Sequence, residues 1–425
     1  MTSLLITNGL VIDTAPAPTV LGTADVLIED GRIAAVGREL ATSAGTETID
    51  ATGRIVMPGF VDTHRHTWQA ALRAILPDSS LPAYLARVLG ELAPRYRPDD
   101  VYAGTLAGAL ECLDSGITTL VDWSHIQLGP AHTDASIAAL RASGIRAVFG
   151  YCYGGDGDFD AETRRVHREL FSGGMAMALA ALGPEIAGEE RALAEWRTAR
   201  DLGLPVTVHM GHSAEGAAHG LAFLEDNELI DHPTTYVHAN FYTDDDFKRI
   251  AGNNGTVSVS PAIEAALDIG QAPTGRARTA GVPTGLSADT VTSGPGDMFS
   301  LMRTAYVLER GRPDGAGLGF TTADALRMAT IEGAEVAGLA DVTGSMTPGK
   351  QADLLILRTD TPGMAAAHDP VAAVVLSADT RSVDTVLVGG RVVKRGGALL
   401  NQDVPSLLTS LEDSAERLTQ GPRPE

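Results

Sequence analysis

The middle of the chain alternates short apolar runs with longer amphipathic stretches. The runs have the length and composition of buried strands, and the stretches have helical spacing. Strand-like runs end near His66, His125, Cys152, Pro184, His212, Asn240, Pro261 and Asp289. Helical patterns fall at residues 99–113, 136–143, 161–170, 189–202 and 244–251. Strands alternating with helices predict a parallel sheet, and eight of them match the strand number of an α/β (β/α)8 TIM barrel.

Shorter strand signals flank this region. At the start, residues 4–12 and 25–37 read as strands, with hairpin turns expected at Asn8-Gly9 and Asp30-Gly31. Near the other end, residues 352–357, 371–376 and 383–393 are β-rich, with a turn at Gly389-Gly390. Neither half makes a domain alone, so the expectation is one composite β-sandwich built from both chain ends. The predicted division is 1–56 and 341–403 for the sandwich, 57–340 for the barrel, and 404–425 for a short terminal helix and polar tail.

Composition narrows the function. The 425 residues are 44% hydrophobic and 20% charged, ordinary for a globular protein with a large core. A formal charge of −22 repels phosphate backbones and anionic membranes, so the expected partner is a small molecule, with no nucleic acid and no membrane. The two cysteines, Cys112 and Cys152, sit in apolar surroundings and read as free thiols of a reducing, cytoplasmic compartment. Met1 to Asn8 lacks the basic and apolar regions of a signal peptide, and no uncharged apolar stretch approaches ~18 residues.

The candidate chemistry centres on residues 57–69, MPGFVDTHRHTWQ. Ile55, Val56 and Met57 open an apolar run, Pro58 and Gly59 interrupt it, and Phe60 and Val61 resume it before His64 and His66. Residues two apart on a strand share a face, so these two imidazoles project together with Arg65 opposite. Such a pair suits a metal such as zinc. Alone, it equally describes two surface histidines beside a turn. Barrel active sites lie at the C-terminal strand ends, and three further ends carry similar groups: VTVHMGH with His209 and His212, TYVHAN with His238 and Asn240, and GLSAD with Asp289. Random polar capping of strands would have to produce all four.

This ordered set resembles the amidohydrolase superfamily, in particular the branch of cytosine, guanine and adenosylhomocysteine deaminases and triazine hydrolases. The resemblance spans nearly the whole chain. It rests on the PGFVDTHRH stretch, His209, His238, Asp289 and the closing GSMTPGKQADL segment at 344–354. It implies a distorted barrel with a composite β-sandwich, and a homo-oligomer, dimer or larger. It also implies His64, His66, His209 and Asp289 as metal ligands, and His238 as a ligand or a partner of the metal's water. A divalent ion in such a set lowers the pKa of bound water to ~7, and Asp289 can take a proton as the hydroxide attacks.

Two features of this chain modify that expectation. Some relatives bridge two metals with a carboxylated lysine. The only lysines here are Lys248, Lys350 and Lys394, none between His66 and His209, which implies one zinc or iron(II) per chain. Deaminase-type relatives also carry His-x-x-Glu on the fifth strand, where this chain has His212. Histidine can serve in acid/base work, but it is a different acid with a different charge, and a second role beside the site or on the surface is the alternative.

Trp68 and Gln69 are candidates for the face and edge of a planar heterocycle. His125 is placed to line the pocket, and Glu264 to meet a cationic or N–H-bearing substrate. Tyr151 and Tyr153 read as packing residues. The expected function is a mononuclear metal-dependent hydrolase acting on a C–N bond, not a peptide bond, of a small cyclic or heteroaromatic compound. Hydrolytic deamination by a metal-bound hydroxide leads, with Asp289, His238 and His212 as catalytic groups. Amidase, ring-opening and dechlorinating chemistries on the same site are the alternatives, followed by a non-catalytic binding protein.

Overall fold

The computed structural model describes residues 3–155, 157–172 and 174–420. The apolar runs form eight parallel strands: β1 (Phe60–Arg65), β2 (Ile117–Gln127), β3 (Arg146–Tyr153), β4 (Ala176–Ala181), β5 (Val206–Met210), β6 (Thr234–His238), β7 (Thr256–Val259) and β8 (Thr284–Leu286). Each pairs with its neighbours in sequence. Helices cover the sheet, which is why every residue of β1 is buried and the strands read as continuous apolar runs rather than alternating ones. The ring closes where β8 meets β1. There Thr63 donates its hydroxyl to the Leu286 carbonyl at 3.1 Å, and a parallel bridge joins Arg65 to Asp289. The fold is a (β/α)8 barrel with a second sheet beside it.

The second sheet has nine strands drawn from both ends of the chain. Its join is Arg54–Pro58, which runs parallel to Ser3–Asp13 on one side and antiparallel to Leu354–Arg358 on the other. Alternate residues of these strands, including Ile6, Val26, Val56, Leu354, Ile356 and Leu387, form a small separate core. The sheet curls until its two hairpin turns touch. At the first turn, Asp30 and Gly31 have φ of +47° and +79°, as the two-residue hairpin requires. A Cβ on Gly31 would lie 2.6 Å from the Gly389 carbonyl of the second turn, so only glycine fits the seam.

Several expectations need correction. Asn8-Gly9 makes no hairpin. Both lie inside Ser3–Asp13, where Asn8 at φ +58° marks a bulge, and the bare Gly9 Cα leaves room for Val56. Residues 371–376 are not a strand but lie in the helix Pro370–Leu376. Asp369 caps it by accepting from the Val371 and Ala372 amides, Pro370 suits the first turn, and the apolar run packs on the helices Met298–Arg310 and Thr322–Met328. An uninterrupted apolar run has no period that separates a strand from a buried helix. The fourth strand stops at Ala181 and the seventh at Val259, because Pro184 and Pro261 each belong to a short helix that follows.

The helix Val404–Thr419 returns to pack on the helix Pro98–Asp114, as a terminal helix was expected to form, while the tail at 421–425 lies outside the described residues. Cys112 and Cys152 are buried free thiols. Among the described residues, no helix is long and apolar enough to cross a membrane.

Candidate metal centre

The ends of β1, β5 and β6 and the loop after β8, which carries Asp289, converge inside the C-terminal mouth of the barrel. His64 and His66 leave β1 on its inner face. Arg65 leaves on the other, donating to the Gly296 carbonyl at 2.8 Å and pairing with Glu111. The Nε2 atoms of His64 and His209 are 3.2 Å apart. Asp289 Oδ1 lies 3.2 Å from His66 Nε2 and 3.4 Å from His64 Nε2, and its Oδ2 lies 3.8 Å from His238 Nε2. Among the described residues, two overlapping triads, His64–His66–His209 and His64–His238–Asp289, have donor atoms within 4.8 Å of one another.

The backbone bends to aim these groups. His238 and Asp289 have φ of +72° and +55°, and Ala239 follows at +54°. Non-glycine residues in this region cost about 1–2 kcal/mol each, so surrounding contacts must hold them there. For Asp289 they are backbone hydrogen bonds to β1: His66 N–H donates to its carbonyl at 2.8 Å, and its own N–H donates to the His64 carbonyl at 2.9 Å.

Hydrogen bonds also set the tautomers. His66 Nδ1 lies 2.7 Å from the Trp123 carbonyl, which can only accept, so Nδ1 carries the proton and Nε2 offers a lone pair. His238 Nδ1 lies 3.1 Å from Glu264 Oε1, which also accepts the Ser260 amide at 2.9 Å. His238 Nε2 is thereby turned toward Asp289. Among the described residues, the buried side-chain atoms without a hydrogen-bond partner include His64 Nδ1 and Glu264 Oε2.

Burial pushes His64 down to about 3 and His209 well below the usual imidazole range, so both are neutral donors. For Asp289 burial opposes ionisation, but the contacts with His64 and His66 outweigh it and hold the carboxyl well below its ordinary value. An ionised carboxylate beside the neutral imidazoles of His64 and His209 is a donor set for a divalent cation of borderline softness. For His238 burial lowers the pKa, and the Glu264 hydrogen bond and the Asp289 charge overturn that and raise it.

The other sequence candidates surround this cluster at different depths. The His125 ring is 4.2 Å from that of His66 and is half-buried. Trp68 is wholly buried, edge-on to Tyr96 and 5.3 Å from His125. Gln69 is also buried, donating to the Tyr84 hydroxyl at 2.6 Å and accepting from Thr290, which follows Asp289. The partly exposed His212 ring stands 6.2 Å from His209 and 5.8 Å from His238. Tyr151 is buried packing, and the Tyr153 hydroxyl accepts the Gly157 amide.

Sequence reasoning passed over Glu185 and Tyr84. Glu185 follows the β4 run as Asp289 follows β8, so the strand-end signal was there. Ending that strand at Pro184 hid it. Tyr84 has no such signal, since it reaches Gln69 from an irregular helical excursion after β1.

Residues 55–393 match the Amidohydrolase family. The 5-methylthioadenosine/S-adenosylhomocysteine deaminase of Desulforudis audaxviator is 31% identical, over 98% of this chain and 99% of that protein. The 5′-deoxyadenosine deaminase of Methanothermobacter thermautotrophicus is 29% identical, over 98% and 99%. Among solved structures, an adenosine deaminase from Xanthomonas campestris with bound zinc superposes with a TM-score of 0.90 at 24% identity, covering 99% of each chain. Atrazine chlorohydrolase from Arthrobacter aurescens complexed with zinc gives 0.87 at 24% identity, covering 97% of this chain and 100% of that one. At that identity the structural likeness speaks for the fold.

Proposed function

The chain belongs to the amidohydrolase family, and from that premise we propose that it deaminates a small heteroaromatic amine by hydrolysis at a single divalent ion, zinc. It is a hydrolase acting on C–N bonds other than peptide bonds. The observation that carries the reading is the convergence of three imidazole nitrogens and one ionised carboxylate at the barrel mouth. His64, His66 and His209 would hold the ion through their imidazoles, and Asp289 through its carboxylate. Zinc bound there supplies Lewis acidity that activates water near neutral pH.

The chain's own groups move the protons. Asp289 Oδ2, 3.8 Å from His238 Nε2, takes a proton from the attacking water. His238, oriented by Glu264, faces the charge that develops at the attacked carbon. His212 delivers a proton to the departing amine, so that C–NH2 and water become C=O and ammonia. His125 and Gln69 are the groups we place against the substrate ring, with Trp68 packed behind them. Glu264 Oε2 is the buried acceptor left for a substrate N–H.

Relatives named as adenine nucleoside deaminases put that class first among substrates. A histidine where deaminase-type relatives have glutamate favours a second reading, a ring-opening or dechlorinating hydrolase on the same site. The test is a screen of zinc-loaded protein against adenosine, 5′-deoxyadenosine, 5′-methylthioadenosine, guanine, cytosine, pterins and chlorotriazines. Ammonia release from an amine supports deamination, whereas chloride release or ring opening without ammonia selects the second reading. The net charge of −22 supports a small-molecule partner rather than nucleic acid or an anionic membrane. A cytoplasmic homo-oligomer completes the proposal.

A further inference from the structure

We propose that Glu185 is the positioning residue for His212, so that a carboxylate from the end of β4 and an imidazole from beyond β5 together do the work that a single glutamate does in deaminase-type relatives. The inference rests on the reading of His212 as a proton carrier and adds the group that orients it.

The geometry around Glu185 is built for its carboxylate. The residue lies in Gly183–Ala187, the turn of helix directly after β4. Gly183 has φ +70°, and a Cβ there would lie 2.7 Å from Val208 Cγ2, so the turn is pressed against β5. The side chain is 7% exposed. Glu185 Oε1 accepts the Gly211 amide at 2.8 Å. Oε2 accepts the His212 amide at 3.4 Å and lies 3.7 Å from His212 Nδ1. Two glycines on the following helix, Ala214–Asp226, make the space: a Cβ on Gly216 would lie 2.5 Å from Oε2, and one on Gly220 3.3 Å from Oε1. Among the described residues, no arginine or lysine pairs with this carboxylate; His212 is its ion-pair partner, and the buried Tyr242 hydroxyl is the other ionisable group that feels its charge.

A carboxylate can only accept, so the imidazole facing it carries its proton on Nδ1. Nε2 is then the basic atom, and it belongs to a ring that stands 5.8 Å from His238 and 6.2 Å from His209. At 3.7 Å the contact is longer than a hydrogen bond, and rotation of the ring about Cβ–Cγ closes it, as active-site contacts tighten when a ligand binds. Nε2 accepts the second proton of the added water, the first having gone to Asp289; the charged ring is stabilised by Glu185, and that proton leaves Nε2 for the departing amine as the C–N bond breaks. Glu185 stays deprotonated throughout. This is the division of labour by which a buried carboxylate fixes the tautomer of a catalytic histidine.

The test uses full-length protein and the variants Glu185→Gln, Glu185→Asp, His212→Ala and the double variant Glu185→Gln/His212→Ala. Nitrogen-15 spectra of histidine-labelled protein, with His212 assigned by its loss in His212→Ala, read the tautomer without any substrate. The expected result is Nδ1–H in the parent. In Glu185→Gln, the Gly211 amide keeps the side-chain oxygen, the NH2 faces Nδ1, and Nε2–H should appear. Glu185→Asp keeps the charge and should keep Nδ1–H, which covers failure of the glutamine variant to fold. Turnover is read as ammonia release from the compound the screen identifies. It should fall about tenfold or more in Glu185→Gln with KM changed less than twofold, and no further in the double variant than in His212→Ala. Nε2–H already present in the parent, a tautomer indifferent to Glu185, or losses that multiply in the double variant would each overturn the inference. Full turnover in His212→Ala with the tautomer still following Glu185 would instead remove the proton-carrier reading and leave the contact standing.

Discussion

His66 and Asp289 are joined twice, by a backbone hydrogen bond of 2.8 Å from the His66 amide to the Asp289 carbonyl and by a 3.2 Å approach of His66 Nε2 to Asp289 Oδ1. The first contact closes the barrel between its last strand and its first. The second belongs to the donor cluster. Barrel closure and the candidate donor cluster therefore share residues.

Stripping the metal should lower the melting temperature as well as activity. A ligand that binds only the folded state at about a thousand times its Kd stabilises by about 4 kcal/mol. Scanning calorimetry with and without chelator should show the apo protein melting several degrees lower, and zinc should restore both the transition and turnover. An apo protein with unchanged melting and full activity would refute the metal reading.

Metal content should be one ion per chain. The bridge that some relatives use for a two-metal centre is a carboxylated lysine, and the three lysines here lie elsewhere. Lys248 is exposed and paired with Asp245, Lys350 donates to the Thr343 carbonyl, and Lys394 pairs with Asp114. Elemental analysis of carefully prepared active protein returning two tightly bound ions would contradict this.

Asp289→Asn keeps the size of the side chain but removes a negative ligand and a proton acceptor. Turnover should fall by at least ~10²-fold, the lower range for loss of a general acid or base, with weaker zinc retention on dialysis. His212→Ala should lower turnover by a similar factor while zinc content stays at the parent level, because this ring is not within bonding reach of the donor cluster. Normal turnover in that variant would take His212 out of the mechanism.

Gly31→Ala tests the second sheet away from the chemistry. Its φ of +79° and the 2.6 Å approach of a Cβ to the Gly389 carbonyl leave no room for a methyl group. The variant should lose about 1–3 kcal/mol in denaturant unfolding, in the range of single substitutions that strain a special backbone conformation. Zinc content should not change.

The candidate donors were legible because each follows an apolar run that ends at one face of the barrel, a regularity that survives in one dimension. His64, His66, His209, His238 and Asp289 all have it. Residues 371–376 had no comparable mark, since Val, Ala and Leu fill a buried helix as readily as a buried strand. Asn8-Gly9 carries the composition of a hairpin turn, yet the strand runs on through a bulge there, with Val56 packed beside the bare Gly9 Cα. Glu264 was identifiable as a candidate, but its hydrogen bond to His238 was not, since it depends on how the ends of two strands face one another.

Strand number, the face each donor takes and the lack of a lysine bridge were already contained in residue order, because side-chain alternation and apolar periodicity are local properties of the backbone. Folding in three dimensions decided the rest. It brought Asp289 onto His64 and His66 at the seam, set the protons of His66 and His238 through the Trp123 carbonyl and Glu264, and laid Glu185 beside His212. Tautomer and orientation are properties of contacts, and these contacts join residues that the chain separates by between 26 and more than 200 positions.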